Sequence, residues 1–383
     1  MSRVLLVSHE ASRTGAPRIA ALVARGLVEQ GHRVRIVSQR PGPLVDDFAR
    51  VAPTRVPPLW RVLRRLWSRQ GRLRTRVAGT LEVATALAVV AAHRPDVVYV
   101  NSTSSAGYVR AASILRKPSV LHVHESGEVL RGFLDRVGIP GLPTGRVRLV
   151  ACSPSVADAL VALGAPRDEV DLLLSIPDAT RVLDVVPAPA ALLPAAARRP
   201  VVVGCVGAVE HRKGVDLWLQ VARLLVSCSP PGSLRFVWVG DGEPPAEAAT
   251  IAGVEFPGHS ANPSAAVAEF DVMTLPSRDD PFPLVVMEAM LQGKPVVAFD
   301  VGGVAHQLGD TGVLVPREDI ESFAREVSRL VADVDRRQVL GIRAALRAEE
   351  LFSWETFEAG LGDVLDRSVS ADQPIVSSGL RAT

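Results

Sequence analysis

Lysine is almost missing from this 383-residue sequence, where Lys117, Lys213 and Lys294 stand against an otherwise arginine-based set of cations. A lysine inside a motif therefore carries more information here than it would in an average chain. Cysteine is equally scarce. Cys152, Cys205 and Cys228 are odd in number and have no C-x-x-C spacing, which argues against a disulfide framework or a structural zinc site and points to a reducing compartment. Long apolar runs are lacking too: the most apolar helical stretch, 81–92, contains Glu82 and is shorter than the ~20 residues a membrane crossing requires. The first residues reach His9-Glu10 before the apolar region of a secretory signal could form, so a cytoplasmic protein is expected. Neither sign of charge dominates. A formal net charge of +2 gives no bulk attraction to nucleic acid, while 48% hydrophobic residues in a chain of this length can bury the cores of two or three domains.

What is present is an alternation of short apolar runs with helical stretches. Residues 4–7 read as a buried strand, followed by the loop Ser12-Arg13-Thr14-Gly15-Ala16, a helix over 17–30 stopped by Gly31, and a second strand over 34–37. That is the start of a βαβ fold. Segments 96–102 and 119–125 read as further parallel strands around a helix at 106–115, and 147–151 as another. Residues two apart in a strand share a face, so His122 and His124 point the same way. Residues 187–200, rich in Ala and Pro, read as an interdomain linker. A second α/β half opens at 201–206 and continues to helices ending near 368, beyond which a frayed tail is expected.

The most informative stretch is Ser277-Arg278-Asp279-Asp280-Pro281-Phe282-Pro283-Leu284-Val285-Val286-Met287-Glu288. It follows a strand at 271–275 and opens a helix that stops near 292–295, so its first residues lie at the carboxyl end of a sheet, where open α/β sheets bind ligands. Pro283 suits the first helical turn, and the N–H groups of Phe282, Leu284 and Val285 can face an anion. Asp280 and Glu288 bracket the turn with two carboxylates. Lys213-Gly214, ahead of a helix at another strand end, suits a phosphate by charge and by helix dipole together. The plainer alternatives are an acid-capped surface helix and a solvated lysine. His122 and His124 could pair on a metal, but no third ligand suggests itself and zinc wants four, so no metal site is expected. Between 60 and 76, seven arginines accompany Trp60, Leu63 and Trp67 at helical spacing. Such a segment is either an interfacial cationic helix or a solvated helix with core tryptophans.

In this order the motifs resemble the retaining nucleotide-sugar glycosyltransferases of family four, two-domain enzymes of the GT-B fold, and the resemblance is strongest from about 200 to 320. It implies an α/β protein of two Rossmann-like, doubly wound parallel-sheet domains facing a central cleft. The expected division is an acceptor domain 1–186, a linker 187–200, a donor domain 201–352, a helix 353–368 crossing back to the first domain, and a disordered tail 369–383. The implied reaction is metal-independent and retaining. A sugar moves from a nucleoside-diphosphate sugar, a co-substrate rather than a cofactor, to a hydroxyl of a lipid-linked, glycan or small-molecule acceptor such as a cell-envelope precursor.

By position, the resemblance gives Lys213, Arg212 and the amides of Phe282, Leu284 and Val285 to the donor diphosphate. Glu288 goes to the ribose, Gly15 to close backbone approach of the donor, and Asp280 and His124 to the transferred sugar. Lys213, Asp280 and His124 are the catalytic set so implied. Several positions depart from the family: Ala208 stands where an arginine is usual, Asp280 where a glutamate is, His306 where a glutamate is frequent, residues 175–179 replace an Asn-Gly-Val-Asp turn, and Gly15 lacks a second glycine beside it. A nucleotide-sugar binding protein without turnover and a GT-B-fold epimerase therefore remain as alternatives. The cationic segment 60–76 would hold such an enzyme peripherally at the inner face of the plasma membrane.

Overall fold

The computed structural model describes residues 1–58, 72–143, 145–178, 199–260 and 262–370. The cationic stretch up to residue 71 and most of the expected linker lie outside the described residues. The chain divides into two compact units, Met1–Leu174 with Phe357–Thr383, and Ser175–Thr356.

The first unit is built on seven strands: β1 Arg3–Ser8, β2 Arg33–Ser38, β3 Thr54–Arg55, β4 Val97–Asn101, β5 Ser119–Val123, β6 Val147–Ala151 and β7 Val170–Leu172. All pair in parallel, in the order β3-β2-β1-β4-β5-β6-β7. The central strands are covered on both faces, so Leu5, Leu6, Val7, Val97, Val98 and Val100 are all buried and read as continuous apolar runs. Leu6 sits between Ile36 of β2 and Tyr99 of β4. The direction of winding thus reverses between β1 and β4, and a crevice opens where their carboxyl ends diverge. The last helix, Trp354–Ser370, joins this unit through its later residues: Gln30 Nε2 donates to Glu358 O at 2.6 Å, and Arg367 pairs with Asp171 at 3.2 Å. Ser368 is buried, with its hydroxyl donating to Val364 O, and helix continues through Ser370, two residues past the expected end at 368.

The second unit holds β8 Val201–Val206, β9 Leu234–Val239, β10 Val254–Gly258, β11 Val272–Leu275, β12 Val296–Phe299 and β13 Val313–Val315. These also pair in parallel, in the order β10-β9-β8-β11-β12-β13, and here the reversal lies between β8 and β11. Trp218, on the helix Val215–Ser227, packs edge-on against Trp238 at 5.3 Å and Phe236 at 5.5 Å. Its buried Nε1 donates to Thr274 Oγ1 at 3.0 Å, and that hydroxyl donates to Gly204 O at 2.7 Å. This chain of bonds satisfies the polar atoms of the core and staples helix, β8 and β11 together at the reversal.

Candidate active site

In the second unit, the turn after β8 and the loop after β11 meet. Gly214 makes that possible: its φ is +76°, and a Cβ there would lie 1.9 Å from Pro276 O, so only glycine lets the turn close onto the loop. Lys213 Nζ then donates to Asp280 Oδ2 at 2.5 Å, and both side chains are mostly buried. Gly302, with φ +53°, backs the loop from behind, since a Cβ there would meet Asp280 O at 1.9 Å. Arg212 is more exposed, bonding Glu210 at 2.9 Å and donating to Asp279 O at 3.0 Å. Asp280 and Lys213, to which the sequence reading gave separate tasks, are thus each other's partner.

The helix after this loop runs Leu284–Leu291, and Pro283 precedes it instead of occupying its first turn. With ψ at 116° Pro283 stays extended, and its carbonyl accepts from both Val286 N at 3.2 Å and Gln307 Nε2 at 3.1 Å, which holds the turn open by one residue. The amides of Leu284 and Val285 are therefore the first two of the helix, where no intrahelical acceptor exists and the positive end of the dipole emerges. Phe282 is packed against Phe352 at 6.0 Å and His306 at 6.3 Å. Glu288 lies in the second turn and is only 1% exposed.

In the first unit, the ends of β1, β4 and β5 converge. Asn101, the last residue of β4, donates from Nδ2 to Ala16 O at 2.8 Å, and its Oδ1 lies 3.2 Å from His124 Nε2. Because Asn101 spends its amide N–H on the loop, Oδ1 must accept, which puts the proton of His124 on Nε2 and leaves Nδ1 as an acceptor. The rings of His122 and His124 are 4.2 Å apart, as the alternation predicted. Burial pushes His122 down to about 3 and, with the positive charge His122 and His9 would add, holds His124 well below the ordinary histidine value. Both are neutral imidazoles at pH 7. Glu125 accepts from Ser102 Oγ, from Thr103 N at 3.2 Å and from His124 N at 3.1 Å, fixing the chain as it leaves β5. Glu10, after β1, is held down to about 2, mainly by His9. The helix after the glycine loop begins at Gly15, two residues earlier than expected, and a Cβ on Gly15 would meet nothing within 4 Å. Among the described residues no three His, Cys, Asp or Glu side chains converge in a way that could hold a metal ion.

Both clusters fall inside known family models. One described as "Glycosyltransferase Family 4" matches residues 13–173, taking in Gly15, Asn101 and His124, and one described as "Glycosyl transferases group 1" matches 200–333, taking in Lys213, Asp280 and Glu288. The chain belongs to glycosyltransferase family four. Among its relatives, the D-inositol 3-phosphate glycosyltransferase of Rhodococcus opacus is 33% identical over 235 residues, 56% of this chain and 52% of that protein. The protein of the same name from Nocardia farcinica is 31% identical over 231 residues, 56% of this chain and 51% of its own. The match thus spans about half the length of these curated relatives.

This family-four glycosyltransferase also shares its GT-B fold with solved structures. Anabaena HepE in complex with UDP and glucose superposes with a TM-score of 0.72 at 20% identity, covering 96% of this chain and 100% of that one. Sucrose-phosphate synthase from Thermosynechococcus elongatus gives 0.72 at 18% identity, covering 97% and 100%. Three residues that build the two clusters were not singled out from the sequence: Asn101, Gln307 and Arg278, whose side chain bonds Asp216 and Glu318 and whose N–H donates to Arg212 O. Asn101 ends a strand beside an expected site, a signal that was available. Gln307 and Arg278 act on partners brought near only by the fold.

Proposed function

We propose that the protein transfers a sugar from a nucleoside-diphosphate sugar to an acceptor hydroxyl with retention of configuration. The observation that carries this is the Lys213–Asp280 pair at the reversal of the second sheet, beside the start of the helix Leu284–Leu291, in a family-four chain. An ammonium and two helix-start amides suit a diphosphate, and positive charge at that place stabilises the charge that develops on the departing group. Arg212 adds a second cation on the exposed side. Glu288, shielded from water, takes the ribose hydroxyls. Among the described residues nothing requires a glycine at position 15, where φ is not positive and no atom lies within 4 Å of a Cβ. A ligand approaching the backbone would use that space.

His124 is assigned to the transferred sugar, with Nδ1 accepting from a hydroxyl and Asp280 acting on the sugar as well. In the transfer, the acceptor oxygen forms a bond to the anomeric carbon as the bond from that carbon to the diphosphate oxygen breaks. The acceptor proton passes to the departing diphosphate on the same face, so no protein base is required. Lys213, Arg212 and the amides supply the positive charge, and donor hydrolysis should therefore survive a strong chelator. The acceptor is a polar hydroxyl compound, with lipid-linked, glycan and inositol phosphate classes to be tried. No described helix is long and apolar enough to cross a membrane.

A thermal-shift screen of UDP-, GDP-, ADP- and dTDP-sugars, starting with UDP-glucose, tests the donor assignment. A ligand at 100 times its dissociation constant stabilises the fold by about 2.7 kcal/mol, a shift easily read. Stabilisation by one base and none by the others is expected. No response to any sugar nucleotide would remove the donor site, while binding that leaves the donor intact, or epimerises it, would replace transfer by one of the two alternatives.

A further inference from the structure

Arg278 lies between β11 and Asp280, and neither the motif nor the proposed chemistry uses it. Its guanidinium nevertheless makes four bonds of 2.7 Å: Nη1 donates to Asp216 Oδ1 and to His211 O, Nη2 to Asp216 Oδ2, and Nε to Glu318 Oε1. Its backbone N–H also donates to Arg212 O at 2.8 Å. One mostly buried side chain therefore ties three segments that are distant in sequence. They are the turn carrying Lys213, the loop carrying Asp280, and the residues just before the helix Ile320–Ala332. Asp216 sits in the first turn of the helix that Lys213-Gly214 leads into.

The third anchor is held in an uncommon backbone state. Glu318 has φ +63°, the left-handed region that residues with a side chain adopt only against a steric penalty. Such conformations persist where surrounding bonds over-determine them, and they gather at functional sites. Here the residue that bears the strain is the one whose carboxylate reaches Arg278. A planar fork with five donors can pair bidentately with Asp216 and still reach His211 O and Glu318, four bonds where an ammonium has three donors and no fixed fork.

We propose that Arg278, anchored by Asp216 and Glu318, is a positioning residue that holds the Lys213 ammonium in register with the Asp280 loop for the donor diphosphate. This rests on the donor assignment above. Arg278 acts through Lys213 and does not itself touch the donor.

The test measures kcat and KM for donor hydrolysis, the dissociation constant of the nucleoside diphosphate, and the melting temperature. It compares the wild type with Arg278→Lys, Glu318→Gly, Lys213→Ala and the Arg278→Lys, Lys213→Ala double variant. Arg278→Lys should lower kcat/KM by about 10- to 100-fold, the scale of a misplacement of about 1 Å at a reacting centre. Glu318→Gly relieves the left-handed backbone, so its melting temperature should hold or rise while its kcat/KM falls, a split that a plain stabilising strut would not give. On the Lys213→Ala background, Arg278→Lys should add nothing, because the group it positions is gone. Multiplying losses in the double variant, or wild-type kinetics for both Arg278→Lys and Glu318→Gly, would overturn the clamp. If Lys213→Ala is impaired and those two are not, the donor site stands and the clamp alone falls; if Lys213→Ala is itself unimpaired in binding and hydrolysis, both fall.

Discussion

Lys213 donates to Asp280, so on the proposed assignment a diphosphate competes with a carboxylate for the same ammonium. Asp280→Asn removes that competitor. We expect nucleoside-diphosphate binding to tighten by roughly tenfold, about 1.4 kcal/mol, while transfer falls because the sugar loses its partner; calorimetric titration checks the first and product formation the second. Unchanged affinity would mean that the pair is not part of the diphosphate site. On the proposed assignment, Glu288→Gln would exchange a charge-assisted ribose hydrogen bond for a neutral one and should weaken donor binding by about 1 to 2 kcal/mol, with equal affinities removing the assignment. Lys213, Asp280 and Glu288 could be proposed from the sequence because one is a rare residue type and the other two lie in one contiguous motif. The bonds of Arg278 were not legible, since its acceptors are at 211, 216 and 318. The place of Pro283 was misread by one residue for a similar reason: the contact that holds its carbonyl comes from Gln307, 24 positions away.

At the scale of elements, apolar runs and alternation predicted the strands well because parallel strands covered on both faces have nowhere to put a polar residue. The strand order was not readable, and with it the fact that the Gly15 loop with Asn101, and the Lys213 turn with Asp280, mark the two reversals. β5 carries a pH dependence. His122 is fully buried and pushed down to about 3 from 6.5, so between those values the unfolded chain binds a proton that the fold refuses. Unfolded-state protonation exceeds that of the native state there, stability rises with pH across the window, and it is lost as pH falls below about 6.5. Each such histidine contributes up to ~1.4 kcal/mol per pH unit. Urea denaturation from pH 7 to 5 should show a steeper loss for wild type than for His122→Gln; parallel slopes would contradict the burial of a neutral ring. The cationic segment 60–76 falls largely outside the described residues and stands on composition alone. A basic residue near an anionic surface gains about 1 kcal/mol, so we expect sedimentation with anionic but not neutral liposomes, weakened by salt and by changing Arg61, Arg64, Arg65 and Arg69 to Gln. Equal recovery with both liposome types would exclude this role.

For the whole molecule, two parallel sheets of seven and six strands, each with a polar cluster at its reversal, agree with membership of glycosyltransferase family four and with its GT-B fold. Donor turnover can be measured before any acceptor is known, because water can take the acceptor's place slowly. The decisive measurement is release of nucleoside diphosphate from a panel of sugar nucleotides by the wild type and by Lys213→Ala. We predict release from donors of one base by the wild type, reduced far more in kcat than in binding by Lys213→Ala, since the diphosphate charge grows towards the transition state. Release unaffected by the loss of Lys213, or no release and no binding with any sugar nucleotide, would contradict the proposed site.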